Sequence, residues 1–148
     1  MRIEIHVSQQ RLTLFREATP ILACAISTSF AGTGSEPGSN RTPLGNFVIG
    51  KKIGAGAALG AVFRSRVDTG ESASRYSTED QVATRILWLD GVDSENANTR
   101  DRYIYLHGTN HEEQLGWPVS HGCIRLANIV MADVFELVEP GTPVLIGV

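Results

Sequence analysis

Cys123, His107 and His121 are the side chains of this chain whose types and spacing could run a reaction. They lie in the stretch Tyr103–Leu126, YIYLHGTNHEEQLGWPVSHGCIRL, which holds three of the four histidines and one of the two cysteines. A thiol and an imidazole within hydrogen-bond reach form a nucleophile–base pair. Unassisted, a thiol with a pKa of about 8.5 is only a few per cent thiolate near neutrality, so the imidazole is what activates it. Tyr103-Ile104-Tyr105-Leu106 alternates as a strand and delivers His107 to its end. Ser120-His121-Gly122-Cys123 is a tight polar turn, and the loop between the two is long enough to fold back. Gly122 lets the backbone turn sharply and leaves room for a substrate carbonyl beside the sulfur. Ser120, His121 and Arg125 are polar surroundings that an inert core cysteine would not have.

Other chemistries fit parts of the same stretch. By spacing alone His121, two residues from Cys123, competes with His107 for the role of base. Neighbours at i and i+2 in a turn often point apart, which favours the more distant histidine. Three histidines and a thiol could also surround zinc. Against this, His107 ends a strand, so the i, i+4 spacing to His111 does not put the two on one face. Arg125 can grip a carboxylate through two parallel hydrogen bonds or form a surface ion pair, and the sequence leaves both open. Cys24, in the apolar run ILACAIS, reads as a small buried core residue.

The block His107-Gly108-Thr109, followed by Ser120-His121-Gly122-Cys123-Ile124-Arg125, resembles the L,D-transpeptidase family. Thr42-Pro43-Leu44-Gly45-Asn46-Phe47-Val48-Ile49 fits a second family segment, and the N-terminal strands with Ser27-Thr28 fit its opening. The resemblance covers most of the chain and is weakest over residues 53–100. It implies Cys123 as nucleophile, His107 as proton donor and acceptor, and the Gly108 carbonyl as the group orienting His107. Ser120, His121 and Gly122 become supporting residues, with the Gly122 and Cys123 N–H groups as candidate oxyanion donors. Arg125, Thr109, Asn110, Trp117 and the Gly32–Thr42 loop would bind substrate, and neither a metal nor another cofactor is required. The implied partners are peptidoglycan stem peptides or muropeptides, cleaved at the diaminopimelate–D-Ala bond through a Cys123 thioester, and carbapenem-type β-lactams as inhibitors. Water as acceptor makes an L,D-carboxypeptidase, a second stem amine makes a 3→3 cross-link, and a free D-amino acid gives exchange. A binding module for peptidoglycan fragments without activity would be expected to have lost the cysteine or the base, and both are present.

Short strands must position these groups. Ile3, Ile5 and Val7, then Leu12 and Leu14, read as a hairpin; residues 21–28 read as a buried third strand, and Phe47–Lys52 as a fourth. Thr69–Ser77 reads as polar loop. Thr78 with Gln81 three residues on reads as a capping box opening a short helix before the strand Arg85–Leu89. Residues 90–101 form a polar loop joining adjacent strands. After Cys123 the period changes to that of a helix, with Asn128 as N-cap, stopped by Pro140-Gly141 before a last strand. The expectation is a mainly β, two-sheet sandwich-like fold with one helix after Cys123, as one domain over 1–148.

The net charge of −3 without any Lys/Arg run argues against nucleic acid as partner. No apolar run reaches the ~20 residues of a membrane-spanning helix. MRIEIHVSQQRLTLF alternates and lacks the apolar core and cleavage site of a signal peptide. The expectation from this is a cytoplasmic enzyme, and so hydrolysis in muropeptide recycling; a processed or excised domain would instead act in the periplasm.

Overall fold

Alternation with period two runs through most of the chain, and the fold is accordingly mainly β. A computed structural model describes residues 1–148. Its strands are β1 (Arg2–His6), β2 (Arg11–Arg16), β3 (Thr19–Ala25), β4 (Gly45–Ile53), β5 (Ala61–Arg64), β6 (Val67–Ser72), β7 (Val82–Gly91), β8 (Tyr105–Thr109), β9 (Ile124–Leu126) and β10 (Pro143–Gly147). The single α-helix, α1 (Asn128–Leu137), follows β9, as the change of period predicted. No helix is long and apolar enough to cross a membrane.

The strands form one sheet in the order β3-β2-β1-β10-β4-β7-β5-β6, with β8 joined to β7 and β9 to β8. The sheet curls until its ends meet. Beyond β3, Ser27 bridges Arg125 and Ser29 bridges Ser120, so the seam falls on the Ser120–Cys123 turn. Inside the curl lie the alternate residues of the strands: Ile3, Ile5, Leu12, Leu14, Phe47, Ile49, Leu87, Leu89, Val144 and Ile146, all essentially inaccessible. Met131, Val134 and Phe135 of α1 close the same core. Each such side chain contributes about 1.5–3 kcal/mol by leaving water.

Several local expectations need correction. β3 is not buried; it is an edge strand paired only with β2, and it touches the core through Leu22 and Cys24. Half-burial alone pushes the Cys24 thiol up to about 11, with Arg11 drawing it down a little. The segment Thr69–Ser77 read as loop overlaps β6, which pairs antiparallel with β5. Their turn is Ser65-Arg66, both with left-handed φ (48° and 65°), a hairpin geometry achieved without the usual Asn-Gly. No helix starts at Thr78. Only Gln81 precedes β7 after Asp80, and Gln81 serves loop contacts instead: its N–H donates to Asn110 Oδ1 and its Oε1 accepts from the Ser74 N–H. Asn128 is not an N-cap, since Ala127 holds that position. The Asn128 side chain reaches the Thr109 carbonyl and the Thr84 hydroxyl, and its N–H is satisfied by Glu112. Residues 90–101 do join adjacent strands, but they are ordered by a short 3-10 turn at Ser94–Asn96. Buried Asn96 there donates to the carbonyls of Leu44 and Asn46.

Candidate active site

β8 carries His107 in its middle, not at its end, because the strand continues through Gly108 and Thr109. β7 flanks it antiparallel, with Ile86 opposite His107, and β9 flanks it parallel, with Arg125 opposite His107. Residues two apart on a strand share a face. Tyr105 therefore looks the same way as His107, and Cys123, two residues before Arg125, falls beside Tyr105. The Cys123 sulfur accepts the Tyr105 N–H at 3.4 Å and donates to the Tyr103 carbonyl at 3.3 Å. It packs against the cluster that holds Ile86 and Tyr105, which places thiol and imidazole on one wall.

The His107 ring is buried, and Nδ1–H donates to the Gly108 carbonyl at 2.5 Å. This bond fixes the tautomer and leaves Nε2 as the free base, without adding a negative charge. Gly108 has no room for a side chain, because a Cβ would overlap Asn128 Oδ1 and the Ala83 carbonyl. Across from it β7 is irregular: the register shifts between Ala83 and Ile86, and Thr84 has φ +74°. A β-branched residue in that region stores strain, held here by hydrogen bonds from Thr84 to Asn128 and from the Gly60 N–H to Thr84.

Burial pushes the His107 imidazole below its ordinary value, although the Gly108 carbonyl and Asp80 partly oppose it. Burial also pushes the Cys123 thiol up to about 11; the Tyr105 N–H, Arg125 and Arg102 pull it down, and Asp80 pushes it up. Both shifts favour the uncharged forms of the thiol and the imidazole. Alkylation of Cys123 by iodoacetamide, resolved from Cys24 by peptide mass mapping, should keep accelerating as pH rises past 9. A plateau below pH 8 would show a preformed thiolate instead.

Gly122 has φ +123°, and its missing Cβ faces the Arg41 and Asn40 carbonyls and Ile104 at 3.4–3.6 Å. The torsion favours glycine, while the contacts themselves would be ordinary van der Waals distances for a Cβ. Ser120 is inaccessible; its hydroxyl donates to the Cys123 carbonyl at 2.7 Å and accepts the Gly122 N–H at 3.3 Å, so it braces the turn. The Gly122 N–H is thereby engaged, whereas the Cys123 N–H has no partner.

Arg125 is neither a surface residue nor open to a ligand. It is 2% exposed, with Nη2 on Asp80 at 2.8 Å and Nη1 on Gln114 Oε1 at 2.8 Å. Thr109 and Asn110 are buried as well. Thr109 Oγ1 accepts the His111 N–H, and Asn110 donates to the carbonyls of Ser74 and Glu79. Asn110 thus holds the loop before β7 and Thr109 the turn that follows β8, and neither lines a cavity. Trp117 is 67% exposed on a separate groove. The three histidines diverge: His107 points to Gly108, His111 to the Ser77 carbonyl and His121 to Asp80, and no three metal-ligating side chains converge.

Asp80 is the residue the sequence concealed. Its Oδ2 takes Arg125 at 2.8 Å and His121 at 3.5 Å, while its Oδ1 is buried without a partner. Burial pushes its carboxyl up, but His107, Arg125 and His121 outweigh this and hold it below the usual range. The signal was topological: with Val82 opposite Thr109, the residues just before β7 must fall beside the end of the His107 strand. Gln114 and Arg102 were missed for the same reason. Arg102 anchors the Gly32–Thr42 loop through the carbonyls of Gly34 and Arg41. A cavity of about 220 Å³ opens there, between Asn40, Arg102, Ile104 and His121, next to the turn that bears Cys123. The largest cavity, about 470 Å³, lies elsewhere, on β1, β4 and β10, and contains none of these groups.

The L,D-transpeptidase catalytic domain model matches residues 1–146. The protein YqjB of Bacillus subtilis (strain 168), whose name places it among the L,D-transpeptidases, is 43% identical over 60 residues, covering 40% of this chain and 32% of its own. An L,D-transpeptidase structure from Xylanimonas cellulosilytica superposes with a TM-score of 0.64 at 18% identity, over 98% of this chain and 59% of the other. L,D-transpeptidase 3 of Mycobacterium tuberculosis, solved with a faropenem-derived adduct, does so with 0.61 at 17% identity, over 99% and 59%. The chain thus spans about a third of the curated relative and about six-tenths of these solved chains. With its match from end to end, its shared fold and its cysteine–histidine wall, the chain belongs to the L,D-transpeptidase catalytic domain family.

Proposed function

We propose that this chain, acting as one catalytic unit over 1–148, transfers the acyl group of a peptidoglycan stem peptide through a thioester on Cys123. The observation that carries the reading is the placement of the Cys123 thiol on one wall with an imidazole whose Nε2 is freed by the Gly108 carbonyl. Nε2 takes the thiol proton as sulfur attacks the carbonyl of the diaminopimelate–D-Ala bond. The oxyanion forms against the Cys123 N–H, the C–N bond breaks, and the imidazolium returns the proton to the departing D-Ala amine. A second stem amine then attacks the thioester, loses its proton to His107 and releases the thiol. β-Lactams, carbapenems among them, would acylate the same sulfur; the M. tuberculosis relative was solved with an adduct derived from the β-lactam faropenem.

The acceptor is tested by incubating purified protein with a disaccharide-tetrapeptide and following products by mass spectrometry. A dimer lacking one D-Ala is expected. A monomer lacking D-Ala would assign the hydrolytic branch, an L,D-carboxypeptidase. No D-Ala released in either form would sink the acyl-transfer reading.

A further inference from the structure

A groove of about 420 Å³, distinct from the smaller cavity, is lined by residues of the segments that meet at the seam. Phe30 and Trp117 stand on it, 63% and 67% exposed, and Ser8, Ser29, Gly116 and Pro118 complete it. Large exposed aromatic rings flanking a concave polar surface need an explanation. None of the residues lining the groove is charged, so it is not built for an anion or a cation. The Trp117 indole N–H, the Ser8 hydroxyl and the Ser8 N–H have no hydrogen-bond partner within the chain, so three donors remain for a ligand. Aromatic faces combined with free neutral donors match a pyranose. Its axial C–H groups form an apolar face that stacks on a ring, while its hydroxyl and acetamido groups accept hydrogen bonds.

Backbone bridges and a ring contact tie the groove to the candidate active site. Ser29 bridges Ser120, the Phe30 N–H donates to the Ser120 carbonyl at 3.0 Å, and the Phe30 ring meets the His121 ring edge-on with centroids 5.8 Å apart. The Trp117 loop is pinned to the same segment, its carbonyl accepting the Ser27 hydroxyl at 2.6 Å. His121 is two residues from Cys123, at most about 7 Å of backbone. One ring contact and two residues of backbone thus link the groove to Cys123, a separation that a short extended peptide can bridge. In a tetrapeptide stem three residues lie between the sugar and the scissile bond.

We infer that the Phe30–Trp117 groove is a saccharide subsite that holds an uncharged N-acetylhexosamine of the glycan chain while its stem peptide reaches Cys123. The inference rests on the acyl-transfer reading for its choice of substrate, and the test separates the two. The N-acetylglucosamine tetramer, which carries no peptide, is titrated into Cys123→Ala protein and binding is followed by calorimetry and by Trp117 fluorescence. Saturable binding is expected, weakened about tenfold or more in Trp117→Ala and in Phe30→Ala and largely retained in Trp117→Phe. In active protein, kcat/KM for the disaccharide-tetrapeptide should exceed that for the free tetrapeptide about tenfold, and the ratio should fall towards one in Trp117→Ala. Absence of saturable binding, or a ratio of one in the unaltered protein, would overturn the subsite. Tetramer binding without turnover of either peptide would leave the subsite standing and remove the acyl-transfer reading.

Discussion

Cys123→Ala protein is expected to release no D-Ala from a tetrapeptide stem and to gain no mass from a carbapenem, while its circular dichroism and melting temperature stay close to those of the parent. The sulfur is the only nucleophile on the His107 wall, so its removal leaves a base with nothing to activate. Structurally the change is small. Cys123 contributes one hydrogen bond to the Tyr103 carbonyl and one from the Tyr105 N–H, both long bonds to sulfur and worth little. His107→Gln should be the graded counterpart. It retains bulk and polarity but cannot shuttle the proton, for which a loss of about 10²–10⁴ in kcat is the usual scale. Its alkylation by iodoacetamide at pH 10 should persist, since the thiolate then forms without help. A carbapenem adduct on Cys123→Ala protein, or undiminished turnover, would refute the assignment of the nucleophile.

Asp80→Ala should cost about 3 kcal/mol of stability, measured by urea unfolding, because it strands the guanidinium of Arg125 in the interior. That side chain is 3% exposed, its Nε already lacks a partner, and without Asp80 only Gln114 remains. For a chain of this size the corresponding fall in melting temperature is about 6–12 °C. The double variant Asp80→Ala/Arg125→Met should recover much of the loss, because removing both charges also removes their desolvation cost. The carboxyl is held below its usual range in the folded state, so its contribution is present above the unfolded carboxylate value and fades as pH falls through the folded one. Acidification should therefore narrow the stability gap between parent and Asp80→Asn. Activity should fall too, since Asp80 holds His121 and Arg125 on either side of Cys123 and its charge supports protonation of His107. A loss under about 1 kcal/mol would show that Arg125 finds another acceptor and that Asp80 is not a positioning residue.

The proposed chemistry is written locally, and so it could be read from the chain. A thiol in a polar turn, a glycine before it and a histidine on an alternating strand nominate a nucleophile and a base wherever the fold puts them. The resemblance of the same block supplied the carbonyl role of Gly108. The strands β1, β2, β4, β7 and β10 and the helix α1 were readable because each buries one face, and burial imposes a period on the sequence. What surrounds the reacting pair was not readable. Arg125, Thr109 and Asn110 look like binding groups because they are polar and adjacent to the motif, yet the curl of the sheet buries them. Asp80 sits more than forty residues before Cys123, in a segment whose local signal pointed to a helix. It reaches the site only because β7 pairs with β8 and delivers the residues before Val82 to the histidine strand. β6 was missed because a two-stranded edge hairpin, exposed on most of its length, has no buried face to mark it. The seam that joins Ser27 and Ser29 to the Cys123 turn has no local sequence signal, since bridge partners almost a hundred residues apart are chosen by how far the whole sheet twists. Residue types and short spacings determined which groups could carry the proposed reaction; long-range strand pairing decided which polar groups are buried around them and which face outward.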